Sequence, residues 1–187
     1  TKAANYAVTP IEGQLSVTNR DAKYEITVEA KSDEVLYDGS EHSVSGFKTL
    51  EFSENGQTYT VSGLTASATA TYPANVSGTA VVEDANGNDV TAQFAVKTVA
   101  GSLTIDQRKV TLTSATDSKQ YDGTALTNHD VAVSGDGWAD GEGATYDVTG
   151  SQTLVGSSAN FFTYALNDGT KAANYAVTPI EGQLSVT

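Results

Sequence analysis

The densest group of metal-compatible side chains is Asp136, Asp140 and Glu142, set in Gly135-Asp136-Gly137-Trp138-Ala139-Asp140-Gly141-Glu142-Gly143. Calcium takes hard carboxylate and carbonyl oxygens from alternate positions of a loop, and a loop this rich in glycine has the freedom to wrap an ion. Trp138, the only tryptophan, lies in the same run, and an aromatic face beside carboxylates is a platform for a sugar ring. The competing reading puts Trp138 in the core, because Phe47 follows Val44-Ser45-Gly46 as Trp138 follows Val133-Ser134-Gly135. A second acidic loop, Asp84-Ala85-Asn86-Gly87-Asn88-Asp89, offers oxygens at its first, third, fifth and sixth positions. Its glycine falls at position four and no distal Glu follows, so a hairpin turn at Asn86-Gly87 is the simpler reading.

Catalysis has little to work with. The chain has no Cys, no Met and two His, His42 and His129, which excludes thiol catalysis, disulfides and thiolate metal sites together. Neither histidine has a serine nucleophile in a recognisable elbow. With 23 acidic residues, pairs of carboxylates are unavoidable and carry no weight as glycosidase evidence. The glycine-rich stretch 135–143 is acidic where a phosphate cradle is neutral or basic. Lys109 on the first strand of the second unit and Asn174 on its penultimate strand are candidates, by position alone, for a Lys–Asn isopeptide bond, although no acid is clearly placed to promote it. The expectation is a protein that is not an enzyme.

Charge narrows the partners. Ten basic residues against 23 acidic ones leave a formal charge of −13, and binding nucleic acid requires clustered Lys and Arg to neutralise phosphate. No stretch approaches the roughly 18 uninterrupted apolar residues of a membrane helix, so neither nucleic acid nor membrane insertion is expected of this segment.

The elements that hold these residues are laid out by repetition. Residues 1–18, TKAANYAVTPIEGQLSVT, recur unchanged at 170–187. Identity of that length comes from recent duplication in a tandem array rather than from shared fold. Inside the long period lies a weaker one: Tyr37-Asp38-Gly39-Ser40 is answered by Tyr121-Asp122-Gly123-Thr124, and Thr58-Tyr59 by Thr145-Tyr146. Two diverged units are therefore expected at 19–106 and 107–187, preceded at 1–18 by the C-terminal hairpin of an earlier repeat. That hairpin, without its parent unit, should pack on a neighbouring molecule or be poorly ordered. The joints fall at Asn19-Arg20-Asp21 and Asp106-Gln107-Arg108.

Each unit opens on a period-two run, Tyr24-Glu25-Ile26-Thr27-Val28 or Lys109-Val110-Thr111-Leu112-Thr113, which gives a strand one face to bury. Turn signals follow at short intervals: Asp38-Gly39, Asn55-Gly56, Asn86-Gly87, Asp122-Gly123, Asp168-Gly169, Ala100-Gly101 and Glu181-Gly182. No segment carries three turns of helical spacing; Asp89 to Phe94 and Thr170 to Tyr175 offer one helical turn each before a strand. The fold expected is all-β, two tandem immunoglobulin-like β-sandwich domains of about seven strands in an elongated array. β-Grasp-like sheets are the alternative, weakened by the missing helix. In both units the Tyr-Asp-Gly motif (Tyr37, Asp38, Gly39; Tyr121, Asp122, Gly123) reads as a tight turn with an adjacent aromatic anchor, against a ligand-binding role for the two tyrosines.

Taken in order, Lys119-Gln120-Tyr121-Asp122-Gly123-Thr124-Ala125-Leu126-Thr127, then Thr149-Gly150-Ser151-Gln152-Thr153-Leu154-Val155-Gly156, then Asn174-Tyr175-Ala176-Val177 and Gly182-Gln183-Leu184-Ser185-Val186-Thr187 resemble the YDG and MBG-type tandem repeats of large bacterial cell-surface proteins. The first unit repeats the frame, except that its middle, 64–80, has no counterpart to the Gly-Ser-Gln-Thr stretch. The resemblance implies a repeat region of a secreted, wall-anchored adhesin, extracellular at the bacterial surface, with no shared catalytic residues. It implies a stalk or spacer that projects a binding region, whose partners are the adjacent repeats of its own chain. The alternative is a repeat module that binds mucin glycans or a host surface protein. Absent Cys and Met suit a surface exposed to oxidants.

Overall fold

The structure is a computed structural model and describes residues 6–69 and 73–187. The first alternating run forms β1 (Tyr24–Glu29), with Ile26 7% and Val28 0% exposed, while its neighbours face water. The remaining strands of the first unit are β2 (Asp33–Leu36), β3 (Ser43–Ser45), β4 (Glu51–Glu54), β5 (Gln57–Thr65), β6 (Ser67–Thr69), β7 (Ser77–Asp84), β8 (Phe94–Val99) and β9 (Leu103–Asp106). The second unit opens on β10 (Arg108–Ser114), which buries Val110, Leu112 and Ser114. It continues through β11 (Asp117–Lys119), β12 (Val131–Gly135), β13 (Ala144–Val148), β14 (Gly156–Asn160), β15 (Phe162–Leu166), β16 (Tyr175–Ile180) and β17 (Gly182–Val186). Among the described residues the chain is all-β apart from single 3-10 turns at Thr91–Gln93 and Ala172–Asn174, where one helical turn before a strand is expected. Among the described residues no helix is long and apolar enough to cross a membrane.

All ladders between named strands join strands of one unit. In the first, β1 pairs in parallel with β8 and β2 with β9, beside the sheets β4-β5-β7 and β3-β6. In the second, β10 pairs in parallel with β16 and β11 with β17, giving sheets β12-β10-β16 and β11-β17-β14 beside β13-β15. The two halves thus share a frame in which the opening two strands run alongside the closing two.

The expected seven strands per unit become nine and eight among the described residues; the parallel pair bends together, so each of its two strands is counted as two arms, and counted once they leave seven and six. The bend also corrects the reading of Ala100-Gly101 and Glu181-Gly182 as tight turns: neither glycine has positive φ. A Cβ on Gly182 would stand 2.3 Å from the carbonyl oxygens of both Ser114 and Ala115, and one on Gly101 2.0 Å from that of Lys31. Glycine is needed there because two backbones pass at a corner. In the second unit the corner is tied by Ser114, whose hydroxyl donates to the Asn160 carbonyl at 2.6 Å and accepts the Gly182 N–H at 2.9 Å. Asn160, fully buried, donates to the carbonyls of Ala115 and Asn128.

Among the described residues, four clusters of buried side chains hold the two units. Ile26, Val28, Val61, Val82 and Phe94 form one and Ala30, Ala66, Ala68, Ala74 and Leu103 another. Val110, Leu112, Ala139 and Tyr175 form the third, and Leu126, Leu184 and Val186 the fourth. Residues 6–18 form no strand and are exposed throughout, Leu15 and Val17 completely; they are not inserted into the sheets of 19–106. Their copies in 170–187 form β16 and β17, where Leu184 and Val186 are 0% and 2% exposed.

Candidate functional site at the joint between the units

Between β9, ending at Asp106, and β10, beginning at Arg108, only Gln107 intervenes. Its side-chain amide donates to the Ala173 carbonyl at 2.9 Å, fixing even that residue to the turn before β16. Because β2 runs parallel to β9, the Tyr-Asp-Gly turn after β2 falls at the end of the first unit where the chain leaves. The Tyr37 N–H donates to the Asp106 carbonyl at 2.9 Å and extends that ladder by one step. Asp38 then closes the turn by accepting the Ser40 N–H at 2.8 Å and facing His42 Nε2 at 2.9 Å.

This placement carries the Tyr37 ring across into the second unit. It packs edge-on against Tyr175, centroids 5.8 Å apart and planes at 83°, in the cluster built on Val110, Leu112 and Ala139. Tyr37 OH donates to Glu142 Oε1 and Tyr175 OH to Glu142 Oε2, each at 2.5 Å. Arg108 closes the other side: Nη1 donates to the Tyr37 carbonyl at 3.1 Å, Nε to the Gly137 carbonyl at 2.8 Å, and Nη2 to the Asp136 carbonyl. A rigid guanidinium fork thereby links the first unit's last turn to the loop 135–143.

The electrostatics follow from these contacts. The hydroxyl of Tyr175, then that of Tyr37, stabilises the Glu142 carboxylate and holds it below the usual carboxylate range. Burial, reinforced by its bond to Glu142, pushes the Tyr175 phenol up to about 12. Donation to Glu142 likewise raises Tyr37, with desolvation second. At neutral pH the site is an anion between two neutral phenols, an arrangement for holding two surfaces together. Both carboxylate oxygens are engaged.

Other residues singled out in the sequence take different places. Trp138 packs edge-on against Tyr175 at 4.8 Å and points Nε1 at Tyr146 OH, 3.3 Å away, as a half-buried wall of the joint. Asp136, Asp140 and Glu142 do not converge: Asp136 Oδ2 accepts the Lys109 N–H at 2.7 Å, Asp140 is exposed, and Glu142 holds the tyrosines. Among the described residues no group of three or more His, Cys, Asp or Glu side chains is placed to hold a metal ion. Asp84 closes its hairpin by accepting N–H groups of Asn86 and Asn88. Lys109 is exposed and pairs with Ala176, two positions along from Asn174. Nδ1 of His129 lies 3.0 Å from the Val148 carbonyl. Tyr121-Asp122-Gly123 repeats the turn at the far end of the second unit, where Asp122 accepts from Lys119 Nζ at 2.8 Å and the Thr124 N–H at 2.9 Å. Those donors, the Lys119 ammonium first, depress the Asp122 carboxyl strongly. Tyr121 itself is 55% exposed.

In the sequence Tyr37, Arg108 and Glu142 stand in three separate contexts, and no local pattern brings them together. The recurring Asn-Arg and Gln-Arg pairs at 19–20 and 107–108 were the available signal, since a basic residue next to each joint has a carbonyl of the preceding unit within reach. Beside the joint an open cleft of about 860 Å³ is lined by Tyr37, Glu41, His42, Lys171 and Asn174 among others.

No family model matches the chain, and no curated protein or solved structure matches it.

Proposed function

We propose that the chain is a structural stalk or spacer repeat of a large bacterial surface adhesin, each unit an immunoglobulin-like sandwich, and that it holds a binding region away from the cell. One observation carries this reading: the joint spans a single residue and is clamped by Tyr37, Glu142 and Arg108. A flexible linker between independently binding modules has no need of such a clamp, whereas a spacer transmits length and force only if its joints resist bending. The paired strands that turn a corner within each unit support the sandwich reading, since strands that switch sheets through bends belong to that architecture. The order of Tyr-Asp-Gly and closing-strand motifs supports the surface-adhesin context, with adjacent repeats as partners. Net charges of −8 over 19–106 and −5 over 107–187 repel along an array and extend it at low salt. A second reading, a module for mucin glycans or a host protein, has the cleft beside Tyr37 and Lys171 as its structural support.

The native chain lacks cysteine, so spin labels can be attached cleanly at Thr104→Cys and Thr163→Cys, exposed positions on β9 and β15. A narrow distance distribution, with small-angle scattering from a particle two units long, is expected. Tyr37→Ala should broaden that distribution. A compact scattering profile, or a native distribution already as broad as that of Tyr37→Ala, would overturn the stalk reading.

A further inference from the structure

The far end of the second unit repeats the geometry of the joint, and among the described residues no further unit is docked on it. Tyr121 N–H donates to the Thr187 carbonyl at 2.8 Å, as Tyr37 N–H does to Asp106, so Tyr121 stands where the chain leaves the second unit. Beside it the loop before β14 projects Leu154 and Val155, each 69% exposed, because Gly156 pairs with Val186 at the end of β17. A solvent-facing Tyr, Leu and Val at one end of a unit form an apolar patch of the kind that marks an interface. The corresponding tyrosine of the first unit, Tyr37, is the ring docked against Tyr175.

The complementary face is at the N-terminal end of the first unit. There Tyr24, Tyr59 and Phe94 form an aromatic cluster, with centroids of 5.6 Å for Tyr24–Phe94 and 4.8 Å for Tyr59–Phe94. Phe94 opens β8 as Tyr175 opens β16. Asn55 stands four residues before Tyr59, as Glu142 does before Tyr146, and its amide already donates to Tyr24 OH. Arg20 lies two residues after Thr18, the copy of Thr187, as Arg108 lies two residues after Asp106. Its guanidinium rests 3.9 Å from the Tyr24 ring centroid and donates to Tyr24 OH at 2.7 Å. The backbone here is anchored like that of the existing joint: Arg20 N–H donates to Gln93 Oε1 at 2.9 Å, and the Gln93 amide to Asn19 Oδ1 at 2.6 Å.

We infer that Tyr121, flanked by Leu154 and Val155, is the docking anchor for the N-terminal face of a further first-type unit, inserting beside Tyr24 and Phe94 with its carbonyl taken by Arg20 and its hydroxyl by Asn55. The occupant is a repeat of residues 19–106 following Thr187, the order that the duplicated 18 residues encode; this rests on the tandem-array reading. The two joints of such an array are unequal. One residue separates β9 from β10, whereas six, Thr187 and the equivalents of 19–23, separate Val186 from the next Tyr24. The second joint therefore depends on its clamp far more than the first, whose short linker already restricts it.

The test extends the full chain at Thr187 with a second copy of residues 19–187. Spin labels at Thr163→Cys of the first copy and Thr104→Cys of the appended unit report the new joint; the same pair within the first copy reports the old one. The expected result is a narrow distribution at both joints. Tyr121→Ala in the first copy, or Arg20→Ala in the appended one, should at least double the width at the new joint and leave the old joint unchanged. Tyr121→Phe, which keeps the ring, should have a smaller effect. A new joint that is broad in the native extended chain, or unmoved by Tyr121→Ala, refutes the docking while a narrow old joint leaves the stalk reading standing. Breadth at both joints defeats the stalk reading itself.

Discussion

Leu184 and Leu15 are the same residue of the same 18-residue sequence, one 0% and the other 101% exposed. Replacing each by alanine therefore separates what the sequence carries from what its surroundings contribute. Leu184 lies in β17 between β11 and β14, packed with Leu126 and Val186. Truncation removes three buried carbons, about 0.8 kcal/mol each by transfer, and leaves a cavity that the small cluster cannot fully collapse. Together these give about 3 kcal/mol, inside the usual range for buried leucine. Trp138 is the only tryptophan and lies in the second unit, so its fluorescence in urea follows the unfolding of that unit within the intact chain. With an m-value of about 1.5 kcal/mol/M, the Leu184→Ala midpoint should fall by about 2 M. Leu15→Ala should leave it unchanged, and the double variant should match Leu184→Ala alone. A Leu184→Ala midpoint within about 0.3 M of the native chain, or a further loss in the double variant, would refute the assignment of 170–187 as the closing strands and of 6–18 as an unpaired copy.

Two further outcomes are expected. Gly182→Ala forces a Cβ against two carbonyl oxygens at 2.3 Å and should cost about 1–3 kcal/mol, as overpacking does. Its copy Gly13→Ala, with no atom within 4 Å of the new carbon, should be neutral in the same urea assay, and equal midpoints for the two would show that no backbones cross at Gly182. Of the nine tyrosines, Tyr175 should ionise near pH 12. Its folded-state pKa is raised, so its contribution to stability is complete below pH 10 and lost as pH rises through about 12. Glu142 is depressed, so its contribution is present above about pH 4.5 and lost as pH falls through the lowered value. Titration of phenolate absorbance in the native chain and in Tyr175→Phe should identify the late tyrosine; nine tyrosines titrating together near 10 would contradict the buried phenol.

The strands and the 3-10 turns were legible because each rests on local chemistry. Period two sets which side of β1 and β10 is apolar, and an alanine-rich segment before Tyr175 supports one helical turn. Asp38-Gly39 and Asp122-Gly123 make the same turn by the same local hydrogen bonds. The Asp136, Asp140 and Glu142 grouping was legible only as composition. Neighbours along a loop share a sequence but not a direction, and Glu142 faces Tyr175 and Tyr37, 33 and 105 residues away. Likewise Gly101 and Gly182 looked like turn residues until their crossing partners, Lys31 and Ser114, were in place.

The sequence by itself determined that this chain is all-β, repeated and strongly acidic, since those properties follow from side-chain alternation, duplication and charge. It could not determine which copy of TKAANYAVTPIEGQLSVT is folded. The 18 residues are identical, yet at 170–187 they meet β10, β11 and β14 and bury Leu184, whereas 6–18 pair with no strand among the described residues and lie exposed. A strand buries nothing alone: its hydrogen bonds and apolar face both need partners distant in sequence. The same holds for Tyr37 and Tyr121, alike in motif, where only the unit standing next to Tyr37 makes that ring part of a joint.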